Sequence, residues 1–339
     1  TVYGSGSSSS AGAYYAAVAC IDSSPTIQNC TIVSGSGGDA AAGRYGLFVS
    51  GSSISNKAAP RISGCVINSA TGGGSSNVLL SSGIFLNEYA YPDIDGNTIY
   101  GGAASMTVGS GFSFCIADDM ASGHAVPVIR NNLMYAGKAD QSGCIGMVGP
   151  QATQVDIHNN LMLAGAAGTT SYTLSLTNMS PTVRNNTIVS GNSGMGTGVN
   201  SIVVGIYLDG IDNNIFTFIS AGSNYNKAAA IWENISSVTP ASIKNNNFGS
   251  LPGATNRGTF YYNSTYQTVS YVQGNNPSIA SGNTEVNPSF DAGYAITAFC
   301  AATTGGLNGS TSGWGFSTDK NGKSRPASAA WTMGCFEYN

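Results

Sequence analysis

One eight-residue phrase recurs along the chain and restricts its fold more than any other feature. It reads Pro25-Thr-Ile-Gln-Asn-Cys-Thr-Ile, then Pro60-Arg-Ile-Ser-Gly-Cys-Val-Ile, Pro92-Asp-Ile-Asp-Gly-Asn-Thr-Ile and Pro127-Val-Ile-Arg-Asn-Asn-Leu-Met. Val155-Asp-Ile-His-Asn-Asn-Leu-Met and Pro181-Thr-Val-Arg-Asn-Asn-Thr-Ile follow, with weaker copies at Asp209 and Ala241. Successive starts lie 35, 32, 35, 28, 26, 28 and 32 residues apart. A constant phrase with variable spacing is the mark of stacked repeats joined by excursions.

The columns of the aligned phrases carry geometry. Ile27, Ile62, Ile94, Ile129, Ile157, Val183, Ile211 and Ile243 fill the third column, all β-branched and apolar. The eighth column, from Ile32 to Phe248, is also apolar, whereas the fourth (Gln28, Ser63, Asp95, Arg130, His158, Arg184, Asp212, Lys244) is polar. Side chains alternate across a strand, so the third column points inward and the second and fourth point outward. The sixth column is Cys30, Cys65, Asn97, Asn132, Asn160, Asn186, Asn214 and Asn246. Buried asparagine is costly unless hydrogen-bonded. Stacked at the ~4.8 Å strand spacing, each amide can bond the next, which predicts an asparagine ladder. Second strands such as Gly46-Leu-Phe-Val, Gly83-Ile-Phe-Leu, Gly111-Phe-Ser-Phe and Gly205-Ile-Tyr-Leu recur, with Gly/Ser-rich excursions such as residues 72–76 and 191–196.

These patterns predict an all-β chain, a right-handed parallel β-helix of about eight to ten coils over residues 1–281, with a C-terminal cap segment at 282–339. An antiparallel sandwich or a propeller needs no in-register asparagine column. No sustained 3.6-residue apolar pattern supports a helical repeat. The phrases resemble those of right-handed parallel β-helix repeat proteins of bacterial surfaces, over roughly residues 1–250. The C-terminal segment carries Asn287-Pro-Ser-Phe, then Asp319-Lys-Asn-Gly-Lys-Ser-Arg, then Gly334-Cys-Phe-Glu-Tyr. It resembles the end segment called choice-of-anchor Q, with Asn287 in place of that pattern's Asp and Cys335 in place of its Ala. The resemblance implies a secreted or cell-surface protein in which anchoring sequences can follow such a segment. A capping role is expected for it, because the last coil otherwise offers free backbone groups to other chains.

Composition narrows the function. Only 8% of residues are charged, with a net charge of −4, and no Lys/Arg stripe marks a nucleic-acid partner. No run of 18 apolar residues marks a membrane span. The chain starts at Thr1 with no signal peptide, so a processed or truncated chain is expected. Thr1-Val-Tyr-Gly matches Thr98-Ile-Tyr-Gly and enters in the middle of a coil. This implies a first coil covered by upstream residues or by a second copy added head to tail. No cofactor is expected. The seven cysteines include no C-x-x-C pair, and His124 and His158 lie far apart, so no metal site is expected. Cys30 and Cys65 are expected as neighbouring thiols, because their Cβ atoms stay ~4.8 Å apart against the ~3.8 Å a disulfide needs. Cys300 and Cys335 are the better disulfide candidates.

One outward cluster bears comparison with an active site. Asp93 and Asp95 occupy one coil, Arg130 the next, Asp156 and His158 the third and Arg184 the fourth. Paired carboxylates suit glycoside hydrolysis, and an arginine could act as base in lyase chemistry. The simpler interpretation is structural: opposite charges on neighbouring strands stabilise a sheet, and Asp95 beside Arg130 fits this. Asp118-Asp119 with His124, Gly322-Lys323-Ser324 and the sequons at Asn178, Asn234, Asn263 and Asn308 lack the context their chemistry needs. Two functions stay open: a non-enzymatic extracellular adhesion, surface-layer or filament protein, and a polysaccharide lyase or glycoside hydrolase. The expected partners are a second copy or an extracellular polysaccharide.

Overall fold

The computed structural model describes residues 2–3, 15–35, 43–69, 78–107, 111–118, 125–149, 154–177, 179–193, 198–204, 210–218, 225–233, 240–249, 254–262 and 265–338. Asp119, His124, Asn178, Asn234, Asn263, the excursion at 72–76 and the strand expected at 205–208 lie outside them. The chain is an all-β parallel solenoid of three sheets, of nine, nine and eleven strands among the described residues. Sheet 1 holds the first half of each phrase, from Thr26–Gln28 to Ala280–Ser281. Sheet 2 holds the second half, from Val2–Tyr3 and Thr31–Val33 to Asn247–Phe248. Sheet 3 holds the longer strands, beginning with Tyr15–Ile21 and Gly43–Ser50.

The third column stacks in register from Ile27 on Ile62 to Ile211 on Ile243, and Ala280 continues it. The eighth column stacks likewise from Ile32 to Phe248. Both columns line one continuous core. Burying each such side chain stabilises the fold by about 1.5–3 kcal/mol. Parallel in-register stacking puts like on like, so the Phe216 and Phe248 rings lie 4.8 Å apart at 19°.

The bend between sheets 1 and 2 sits at the fifth and sixth columns. Every fifth-column residue has positive φ: Asn29, Asn131, Asn159, Asn185, Asn213 and Asn245 at 50–58°, and Gly64, Gly96 and Gly282 at 62–66°. Glycine and asparagine tolerate this left-handed conformation best, which explains why the column contains nothing else. The sixth-column amides then point inward. The Asn160 backbone N–H donates to Asn186 Oδ1 at 2.9 Å, and its Nδ2 donates to Asn186 Oδ1 at 3.0 Å and to Ile129 O at 2.9 Å. Asn97, Asn132, Asn186, Asn214 and Asn246 repeat the pattern. Each of these six side chains is thereby satisfied in the dry interior.

The ladder has a distinct group at each end. Cys65 N–H donates to Asn97 Oδ1 at 2.9 Å, and Cys30 N–H donates to Cys65 Sγ at 3.4 Å, so the two thiols extend the ladder as weaker rungs. At the other end Asn246 bonds Asn283 Oδ1, and Asn283 N–H donates to Gln273 Oε1 at 2.8 Å. Gln273 belongs to α1 (Val269–Asn275), which follows an antiparallel strand, Thr265–Gln267, closing sheet 3. Val269 and Val272 of α1 join the solenoid core. The boundary expected after residue 281 thus falls inside a ninth phrase, 278–285, in which Ala280 replaces the usual Ile. Closure of this end comes from Thr265–Gln267 and α1, upstream of the segment expected to provide it.

All seven cysteines are free thiols. The bridge expected between Cys300 and Cys335 is absent, because the two residues serve different contacts. Cys335 is buried with its thiol on Thr187 Oγ1 at 3.3 Å, whereas half-buried Cys300 leads into α2 (Ala301–Thr304). Burial pushes the Cys335 thiol up to about 11.

Two measurements check this architecture. Asn160→Ala orphans buried backbone partners and is expected to cost about 1–3 kcal/mol in chemical denaturation. Thiol titration of protein unfolded without reductant is expected to count all seven cysteines; a smaller count would reveal a disulfide.

Candidate functional site

The outward face of sheet 1 brings the six candidate residues onto adjacent strands but divides them into three groups. Asp93 and Asp95 share Arg130: its Nη2 lies 2.8 Å from Asp93 Oδ2 and 3.3 Å from Asp95 Oδ2. Asp95 Oδ1 also accepts a hydrogen bond from Asn131 Nδ2 at 2.8 Å. The three charged side chains remain 24–35% exposed, so this ion pair is a surface feature of modest energy.

Asp156 and His158 form the second group, with His158 Nδ1 donating to Asp156 Oδ1 at 3.1 Å. The imidazole is only 6% exposed because the Phe316 ring lies flat on it, centroids 4.3 Å apart and planes within 4°. Burial pushes the Asp156 carboxyl up, but bonds and charge from His158, the Thr182 hydroxyl and Arg184 outweigh it and hold the group below its ordinary 3.8. Asp212, two coils on, goes the other way. Its burial outweighs the bonds from Ser242 and Lys244 N–H and the nearby cations, and its carboxyl is raised.

Arg184 lies in register with His158 on the next strand, its guanidinium 5.3 Å from the centre of the Trp314 ring. This arrangement restricts chemistry. Arg130 Nη2 is engaged by both Asp93 and Asp95. His158 is buried, with the Phe316 ring stacked on it. Among the described residues, no group of three or more His, Cys, Asp or Glu could hold a metal ion.

The covering rings belong to a C-terminal clamp that the sequence does not reveal. Beyond Asn283 the chain folds back along the outside of the solenoid. Its backbone is held by fifth-column asparagines: Asn245 Nδ2 donates to Gly305 O, Asn213 Nδ2 to Leu307 O, Asn185 Nδ2 to Thr332 O and Asn159 Nδ2 to Thr318 O. On sheet 2, Met333 and Ala302 pack on Ile215, and Cys335 packs with Leu161 and Val189.

The Asp-x-x-Gly-x-x-Arg pattern acquires a physical meaning here. Asp319 Oδ1 accepts the N–H groups of Asn321 and Lys323, and its Oδ2 accepts Glu337 N–H. Gly322, at φ +80°, completes the turn. Arg325, fully buried, donates to Glu337 Oε2 at 2.8 Å, Thr332 O at 3.1 Å, Gly334 O at 3.1 Å and Asn159 Oδ1 at 3.0 Å. Burial lowers the affinity of Arg325 for its proton, and the Glu337 carboxylate opposes that. The signal in the sequence was the fifth-column run Asn159, Asn185, Asn213 and Asn245, whose side chains have no partner within their own phrases.

No family model, no curated protein and no solved structure matches the chain. Among the described residues no helix is long and apolar enough to cross a membrane.

Removing one partner of a buried pair leaves the other uncompensated, so Arg325→Met is expected to cost about 3–5 kcal/mol in chemical denaturation; a loss under 1 kcal/mol would contradict that role. Asp156 predicts a pH dependence. A carboxyl with a depressed folded pKa contributes stability above its unfolded value of 3.8 and loses it as the pH falls through the folded pKa. Asp156→Asn is therefore expected to shallow the loss of stability below pH 3.8 in acid titrations.

Proposed function

We propose that this chain is a non-enzymatic extracellular or cell-surface β-helix protein with a scaffolding or adhesive role. The observation that carries this is the state of the charged face. Arg130 is shared by two carboxylates of the preceding coil, and His158 and Arg184 lie beneath aromatic rings. Charges tied coil to coil, with the histidine out of a substrate's reach, suit a rigid surface better than proton transfer. The clamp supports the same role, since it ties the C-terminal segment along the solenoid.

The likeness of the C-terminal signatures to choice-of-anchor Q segments supports placement at a bacterial surface. Head-to-tail association with a second copy belongs to this proposal.

The test is incubation of the full chain with acidic and neutral polysaccharides while reducing ends and unsaturated uronates are followed. No release is expected. Release that disappears in Asp95→Asn or Arg130→Gln would overturn the proposal in favour of a lyase or hydrolase.

A further inference from the structure

Trp314 and Phe316 of the clamp lie over sheet 1, and both pack on Trp331. Trp314 sits above Arg184, and Phe316 lies flat on His158 of the neighbouring strand. Their ring centroids are 6.1 Å apart with planes 27° from parallel, so the two rings continue each other along the solenoid axis. Fully buried Trp331 meets Trp314 nearly edge-on, centroids 5.8 Å apart at 80°, and fixes its tilt. Both rings nonetheless remain partly exposed. Gly313 and Gly315 flank Trp314 at φ +69° and +74°, and a Cβ added at either would meet nothing within 4 Å. The backbone on either side of Trp314 is therefore open to solvent.

Next to this apolar strip runs the polar face of the same sheet: Asp156, then Arg130 with Asp95 and Asp93, then exposed Arg61. Three carboxylates here face three guanidiniums, Arg61, Arg130 and Arg184, so the strip is close to neutral. A fixed aromatic surface bordered by balanced hydrogen-bonding groups suits an elongated ligand with flat C–H faces and a rim of hydroxyls. From this arrangement we infer that Trp314 and Phe316 form a binding platform for a neutral β-1,4-linked glycan. The chain lies along the solenoid axis, one sugar face stacks on each ring, and hydroxyls reach Asp156, Asp95 and Arg130. Because both rings are already held by Arg184, His158 and Trp331, binding loses little side-chain freedom. The charge balance disfavours polyuronates. This inference adds a ligand to the scaffold and does not depend on the absence of turnover.

The experiment uses the full chain with cellohexaose, chitohexaose, mannohexaose and hexagalacturonate. Binding is measured by calorimetry and by tryptophan emission, with reducing-end release followed in the same samples. At least one neutral hexaose is expected to bind and to shift the emission, and hexagalacturonate is not. Trp314→Ala and Phe316→Ala should each weaken binding about tenfold, the loss of one stacked ring. Trp314→Phe should stay within about threefold of the native affinity, since a ring is retained. In that variant the emission shift should vanish, although Trp232 and Trp331 remain. Tyr135→Ala, on the outer face of sheet 2, should bind like the native chain. Should Trp314→Ala fail to fold, Trp314→Phe and Phe316→Ala decide the matter. Binding accompanied by reducing-end release would support the platform and count against the non-enzymatic role. No binding of any neutral hexaose, native-like affinity in Phe316→Ala, or an emission shift that persists in Trp314→Phe would overturn the platform and leave the scaffold standing.

Discussion

The structure depends on how buried asparagine side chains are satisfied. An amide has two donors and an acceptor with two lone pairs, and leaving them unmade in a dry core costs more than most single contacts contribute. Here each Asn Oδ1 accepts both the backbone N–H and the side-chain amide of the rung before it, while the amide also reaches a third-column carbonyl. That geometry works only if neighbouring coils are in register at this column. The rest of each turn can therefore vary: phrase spacing runs from 26 to 35 residues without disturbing the stack. The positive-φ residue just before each rung turns the chain at the bend and aims the amide inward.

The same bend carries the second organising contact. Glycine and asparagine suit the left-handed conformation best, and asparagine brings a side chain that can act outside the coil. In the later coils it holds the backbone of the clamp, so one column both shapes the turn and anchors the C-terminal segment. The ordered ends follow from similar chemistry. Gln273 supplies the acceptor that a further Asn rung would have supplied, and the thiols of Cys65 and Cys30 continue the ladder with weaker sulfur bonds.

The repeat columns were legible because parallel stacking aligns like residues, so the interior columns and the ladder stand out in a single sequence. The ninth phrase was not, because Ala280 departs from the β-branched third column and Glu285 from the apolar eighth, although Gly282 and Asn283 are kept. The pairing of Asp95 with Arg130 follows from register alone. The fate of His158 and Arg184 does not, since it is set by rings more than a hundred residues away that carry no repeat. The fifth column was visible as Asn or Gly throughout. Its meaning needed the clamp, whose contacts span 147 residues from Asn185 to Thr332 and 166 from Asn159 to Arg325.

The central claim is that the amide ladder holds the coils in register. Native-state hydrogen exchange tests it most directly, at the backbone N–H groups of Asn97, Asn132, Asn160, Asn186, Asn214 and Asn246, each bonded to the next rung's Oδ1. These amides are expected to exchange only through the largest opening, with protection matching that of the third-column strands. Exchange at the rate of solvent-exposed turns, while the flanking strands stay protected, would contradict the account.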